Sequence, residues 1–222
     1  RGKALRAVKE LLKRELKLTG MKKILIVSDT HRKDENLKQV IEKEKPLDML
    51  IHLGDAEGSE YAIASWVNET CQMQMISGNN DFFSSLDRER DVEIGRYRVL
   101  LTHGHYYNVS VGTEYLRQEA RARGYDIVMF GHTHRPYYDV DRRRGDKDLI
   151  VLNPGSLSYP RQEGHAPSYA VMTLDDAGEA HFNFIFFLWS RRGRAAVSLY
   201  NMMGHDDFGG QQIGIFNMVD HL

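Results

Sequence analysis

Within residues 24–134 the chain repeats one pattern five times: a short aliphatic run stops abruptly at residues able to hold a metal ion. Ile24–Val27 runs into Asp29 and His31, and Met49–Leu53 into Gly54 and Asp55. Met73–Ile76 leads to Gly78 and Asn79. Tyr97–Leu101 leads to His103 and His105, and Ile127–Phe130 to Gly131, His132 and His134. The runs are four or five residues long and apolar without alternation. That suits strands buried on both faces rather than strands with one wet face.

Helical periodicity fills three of the gaps. It predicts helices over Asn36–Lys45, stopped by Pro46, over Glu60–Thr70, and over Thr113–Arg123, closed by Gly124. Strand–helix–strand alternation implies a parallel sheet with crossover connections. Further on, Tyr137–Val140 and Leu149–Leu152 flank a turn-like segment, as do Tyr169–Leu174 and Ala180–Phe187, and these read as antiparallel hairpins. The sum is an α/β chain with two packed mixed sheets and helices outside them.

Length fits one domain with extensions. Residues 1–20 read as a basic amphipathic helix with Leu5, Val8, Leu12 and Leu16 on one stripe, outside the domain. The domain is assigned to residues 21–188. Residues 189–222 carry scattered glycines with weak periodicity and read as a poorly ordered tail.

Composition closes several routes. The 30 basic residues are matched by 31 acidic ones, so no global basic excess points to nucleic acid. A lone cysteine, Cys71, excludes an internal disulfide framework and a cysteine-rich zinc site, and fits a reducing cytoplasmic compartment. No apolar run approaches a membrane span, and the charged first 20 residues do not resemble a secretory leader. The histidines are the uneven element: of ten, five lie in three short clusters at the ends of aliphatic runs.

In an open α/β sheet the loops beyond the strand carboxyl ends form the ligand crevice. Five such ends would deliver Asp29, His31, Asp55, Asn79, His103, His132 and His134 to one place. Glycine before Asp55, Asn79 and His132 lets the backbone turn there without a Cβ in the way. Seven oxygen and nitrogen ligands are too many for one tetrahedral zinc but suit two five- or six-coordinate divalent ions. Imidazole, carboxylate and amide together suit manganese, iron, nickel, cobalt or zinc. With two aspartates and a bridging hydroxide the centre would keep a net positive charge, attractive to a phosphoester. Each motif taken singly is an ordinary turn or an ordinary histidine; the argument rests on all five strand ends carrying such residues. His52 is assigned to packing and Arg142–Arg144 to a solvated hairpin tip.

The strings SDTH, HLGD, SGNND, THGH and GHTH, in this order and spacing, resemble the calcineurin-like metallophosphoesterases. NPGS at Asn153–Ser156, Pro160-Arg161 and Ser168–Val171 are similar to the small bacterial and archaeal phosphodiesterase branch, which is related to the phosphoesterase-like retromer subunit. The resemblance covers residues 21–187 and implies a four-layer αββα sandwich. It implies one metal held by Asp29, His31 and His134, a second by Asn79, His103 and His132, and Asp55 bridging both. Manganese is the first expectation, with nickel, zinc, iron, cobalt or magnesium as alternatives. A bridging hydroxide would attack phosphorus. Asp55 and His103 are assigned to catalysis, and Asn80, Asp81 and His105 to the surrounding layer or the substrate.

The expected activity is hydrolysis of small phosphodiesters. One departure matters: many relatives carry histidine after the metal-binding asparagine, and here that position is Asn80, which has no proton to give a leaving group near neutral pH. The resemblance leaves as alternatives a non-catalytic scaffold or metal-binding protein with the phosphoesterase fold and, further, a nuclease, and leaves a homo-oligomer open. The opening string RGKALRAVKELL also resembles the extreme C-terminal end of the Ham1-like nucleoside triphosphate pyrophosphatases. It carries no active site, so no activity follows from it.

Overall fold

Every aliphatic run that ends in site residues becomes a strand, and the strands sort into two sheets. A computed structural model describes residues 21–189 and 195–202. The first sheet has the order β11-β10-β9-β1-β2-β3, built from β1 (Lys22–Val27), β2 (Met49–His52), β3 (Gln72–Met75), β9 (Ser168–Leu174), β10 (Ala180–Trp189) and β11 (Ala195–Met202). The second has the order β4-β5-β6-β8-β7, from β4 (Glu89–Ile94), β5 (Tyr97–Thr102), β6 (Ile127–Met129), β7 (Pro136–Asp141) and β8 (Leu149–Pro154). Each sheet holds three parallel strands: β1, β2 and β3 at one end of the first, and β5, β6 and β8 at the centre of the second. Antiparallel strands continue the first sheet beyond β1 and border the second on both sides.

Period-two geometry then explains why the runs are apolar throughout. Ile24 and Ile26 of β1 face the space between the sheets, with Val99 and Leu101 of β5 and Phe182, Phe184 and Phe186 of β10. Leu25 and Val27 face the other way, against Leu37, Val40 and Ile41. Those three belong to α1 (Glu35–Glu44) and are fully buried at i, i+3 and i+4. Across the molecule Leu100, Val128 and Val151 turn outward onto Leu116 and Ala120 of α3 (Glu114–Ala122). Helix, sheet, sheet, helix are therefore four layers with three apolar seams. No helix among the described residues is long and apolar enough to cross a membrane.

Two elements depart from the sequence expectation. The second helix, α2, is Glu60–Trp66 and stops four residues short of Thr70. Asn68 is the cause: its side chain accepts from the Leu47 backbone N–H at 2.9 Å and donates to the Leu47 carbonyl at 3.0 Å. Val67 is extended to reach that position. The second departure is β4, an edge strand of sequence ERDVEI that no aliphatic run announces. Charged residues on an edge strand are the usual defence against pairing with another chain, and they hide the strand from a hydrophobicity reading. The chain also continues beyond the expected domain limit as β11, paired antiparallel with β10. The basic helix anticipated over residues 1–20 lies outside the described residues, as do residues 190–194 and 203–222.

Candidate metal centre

The five strand ends meet at one edge of the sandwich, three from the first sheet and two from the second. Their loops leave the strands through an unusual backbone. Asp29, His31, Asp55, His132 and His134 all adopt positive φ, between 47° and 68°. Few non-glycine residues do so, and Asp and His are among those that tolerate it. Such strain persists only where surrounding structure over-determines it, and it concentrates at functional sites. Glycine serves here more for space than for turning. Gly54 does need its φ of +96°, but Gly78 does not have one: a Cβ there would lie 2.1 Å from Asp55 Oδ1.

Asp29, His31 and His134 form one group, and Asp29, Asp55 and His103 another, each with its ligand-type atoms within 4.8 Å of one another. Asn79 joins the second: its Oδ1 is 3.0 Å from His103 Nε2 and 2.8 Å from His132 Nδ1. Asp55 Oδ2 lies between, 3.7 Å from His31 Nε2 and 3.5 Å from His103 Nε2. The structure thus brings together all seven residues singled out in the sequence.

Tautomers decide what these atoms can do. His134 Nδ1 lies 2.8 Å from the Tyr159 carbonyl and His103 Nδ1 2.6 Å from the Leu53 carbonyl. A carbonyl only accepts, so both Nδ1 atoms carry hydrogen and donate, and in its neutral form each ring would turn a lone pair outward at Nε2. His31 is held in the same sense by Glu57 Oε1, 2.7 Å from its Nδ1. The outcome is a convergence of acceptors: His31 Nε2 and His134 Nε2 are 3.3 Å apart, and Asp29 Oδ1 is 3.2 Å from His134 Nε2. Asp29 Oδ1 is buried with no hydrogen-bond partner. Lone pairs crowded this closely repel unless a cation shares them, and a buried carboxylate oxygen left unpaired is costly. The donor set therefore fits divalent ions, with second-layer contacts orienting each imidazole as metal sites require.

Titration follows the same crowding. Burial pushes the His103 imidazole down, but Asp55 and Asp29 beside it outweigh this and raise it to about 9. Burial works to raise both aspartates, and it too is outweighed. His134 and His103 hold Asp29 below the usual range, while His103 and the Asn80 amide groups hold Asp55 below it. Burial and the neighbouring His103 push His132 down.

The surrounding residues fall into place differently. Asn80 donates its backbone N–H to Asp55 Oδ1 at 2.8 Å and its side-chain amide to Oδ2 at 2.6 Å, so it grips the central carboxylate. Asp81 stands behind the loops: its carboxylate accepts from the backbone N–H groups of Asp55, Gly78 and Glu57 at 2.7, 2.7 and 2.6 Å. His105 flanks the second group, its ring centroid 5.4 Å from that of His103 and 4.0 Å from that of Tyr106. Burial and the adjacent imidazoles lower it to about 4. His52 is fully buried against Thr30 Oγ1 at 3.1 Å and plays the packing part expected of it. Glu57 and Tyr159 escaped the sequence reading. Glu57 lies two residues beyond Asp55, at φ 54°, and only that backbone turn aims it at His31. Tyr159 contributes a backbone carbonyl, which no side-chain pattern can signal. A cavity of about 490 Å³ opens beside His31, Asn80, His134 and Tyr159.

Comparison with known proteins adds the following. Residues 21–177 match the family described as calcineurin-like phosphoesterase superfamily domain. The probable metallophosphoesterase YsnB of Bacillus subtilis is 30% identical over 163 residues, covering 72% of this chain and 89% of that protein. Among solved structures, Chaetomium thermophilum Vps29 superposes with a TM-score of 0.63 at 18% identity, covering 82% of this chain and 95% of that one. An archaeal phosphodiesterase superposes with a TM-score of 0.50 at 27% identity, covering 72% of this chain and 98% of that one.

Proposed function

Since this chain belongs to the calcineurin-like phosphoesterase superfamily, we propose that it is a two-metal phosphodiesterase acting on small phosphodiesters, with residues 21–188 as its catalytic unit. One observation carries the reading: ligand-type atoms from five strand ends converge, with the buried Asp29 Oδ1 left without a hydrogen-bond partner and the His31 and His134 Nε2 atoms 3.3 Å apart beside it. Asp29, His31 and His134 would hold one ion, Asn79, His103 and His132 the other, and Asp55 would touch both. Such a pair of ions supplies nucleophilic water at neutral pH and clamps the oxygens of an in-line displacement at phosphorus. Manganese is the first metal to test.

The chain's own residues do the rest. Two aspartates against two divalent ions would leave the centre positively charged, which would draw in an anionic ester and favour the more highly charged transition state. Asn80 fixes both Asp55 oxygens and so sets where the shared carboxylate sits. The backbone of the Gly54–Glu57 loop is tied to that of Gly78 through Asp81, which fixes the Asp55 and Asn79 turns relative to each other. Asn80 also stands at the sequence position where many relatives carry histidine, and an amide cannot supply a proton to the leaving group near neutral pH. The leaving group must then depart as a stable anion, so aryl esters should outrun alkyl esters.

The test is hydrolysis of bis(p-nitrophenyl) phosphate beside p-nitrophenyl phosphate, with protein stripped of metal and then given manganese, nickel, zinc or magnesium in turn. Metal-dependent release from the diester, exceeding that from the monoester, is the expected result. No turnover with any metal, by protein that remains folded, would move the function to a scaffold that keeps the phosphoesterase fold and uses its surface for partners.

A further inference from the structure

Beside the ligand groups, residues 134–135 and 159–161 are laced together. The His134 Nδ1–H donates to the Tyr159 carbonyl, the Arg161 N–H donates to the His134 carbonyl at 3.0 Å, and Arg135 Nε donates to the Arg161 carbonyl at 3.3 Å. This lacing places Arg135 and Arg161 on one ledge. Arg161 forms part of the cleft wall beside His31 and His134. It also lines a second cavity, of about 410 Å³, together with Arg135 and the apolar groups of Val109, Val111, Phe130 and Tyr137. Arg161 is thus the partition between the candidate metal centre and a neighbouring chamber.

Charge separates these two arginines from most others in the described chain. Arg98 pairs with Asp91 at 2.5 Å, Arg117 with Asp139 at 2.6 Å, and Arg121 with Asp141 at 2.8 Å. Arg123 pairs with Glu89 at 2.8 Å. Arg135 and Arg161 have no carboxylate partner among the described residues. Two neighbouring cations without a counter-charge repel, and an anion between them relieves that repulsion. The guanidinium fork suits the paired oxygens of phosphate.

We propose that the chamber lined by Arg135 and Arg161 is a second anion subsite, which binds a non-reacting phosphate group of the substrate while the reacting diester lies at the metal-ligand groups. It follows that the preferred substrates are diesters that carry a further phosphate group. The inference rests on the phosphodiesterase reading for the identity of the reacting group, but the anion subsite can be tested separately.

The probe is the p-nitrophenyl ester of thymidine 5′-phosphate, compared with the same ester carrying an additional 3′-phosphate. Manganese-loaded full-length protein should prefer the bisphosphate by about tenfold in kcat/KM, mainly through KM, the effect of one charge-assisted contact pair. Arg135→Ala and Arg161→Ala should each remove most of that preference, while Arg142→Ala, at the remote hairpin tip, should retain it. Equal kcat/KM for the two esters in the unaltered protein, or a preference that survives in both arginine variants, would overturn the proposal. Bis(p-nitrophenyl) phosphate has no second anion, so failure to hydrolyse it counts against the phosphodiesterase reading alone. In that event calorimetry decides the subsite: thymidine 3′,5′-bisphosphate should bind more tightly than thymidine 5′-phosphate, and Arg161→Ala should erase the difference. Equal binding of the two nucleotides would end the proposal by that route as well.

Discussion

Asp81 carries more of the candidate site than its place in the sequence suggests. Buried behind the loops, it accepts three backbone N–H groups and so holds the Asp55 and Asn79 turns in register. Asp81→Asn removes an acceptor and introduces donors facing donors. The expected result is a fall in metal affinity of 10- to 100-fold, roughly the loss typical of an orienting residue around a metal. Manganese titration by calorimetry checks it, and an unchanged affinity would remove Asp81 from this role. The seven ligand-type residues were legible because each follows an aliphatic run, and burial of strands forces their ends together. Glu57 and the Tyr159 carbonyl were not, because their contribution depends on backbone direction. Asp81 was visible in SGNND, yet nothing in the string tells whether its carboxylate faces the substrate or the loops.

At the level of elements, the parallel runs and the two hairpins could be read directly, because an unbroken aliphatic stretch has few stable homes other than a strand covered on both sides. The charged β4 could not, and its place depends on partners elsewhere. Glu89 receives Tyr107 and Arg123, which tie this edge to the turn following His105 and to the end of α3. The short α2 has a similar tertiary cause. Asn68→Ala should cost about 1–2 kcal/mol, since the Leu47 backbone loses both its partners. Urea unfolding measures that loss. Metal affinity should stay unchanged, because the Leu47 turn lies at the opposite end of β2 from Asp55. A parallel loss of metal binding would show that α2 and the metal centre are coupled.

Across the whole molecule, each ligand group draws on both sheets: Asp29, His31, Asp55 and Asn79 follow strands of the first, and His103, His132 and His134 follow strands of the second. Ions held there cross-link the sandwich, so chelation should lower the melting temperature in proportion to the binding energy lost. The pH dependence should change sign with loading. In metal-free protein His103 is raised to about 9, so the stability it lends is complete below its ordinary value of about 6.5 and disappears as pH rises toward 9. Metal must displace that proton, so the rise in melting temperature caused by manganese should grow over the same interval. Thermal melts from pH 6 to 9, with chelator and with manganese, measure both slopes. A manganese effect that stays flat or shrinks with pH would exclude His103 as a ligand.

The strained loops give this arrangement a consequence for the order in which the molecule assembles. His31 and His134 are 103 positions apart in the chain and meet only where the two sheets close on each other. No fragment short of the finished sandwich presents a complete set of donors, and the left-handed turns that aim them have no reason to persist beforehand. Ions bound there would favour the closed sandwich over any partial fold, so their removal should be felt first as faster unfolding.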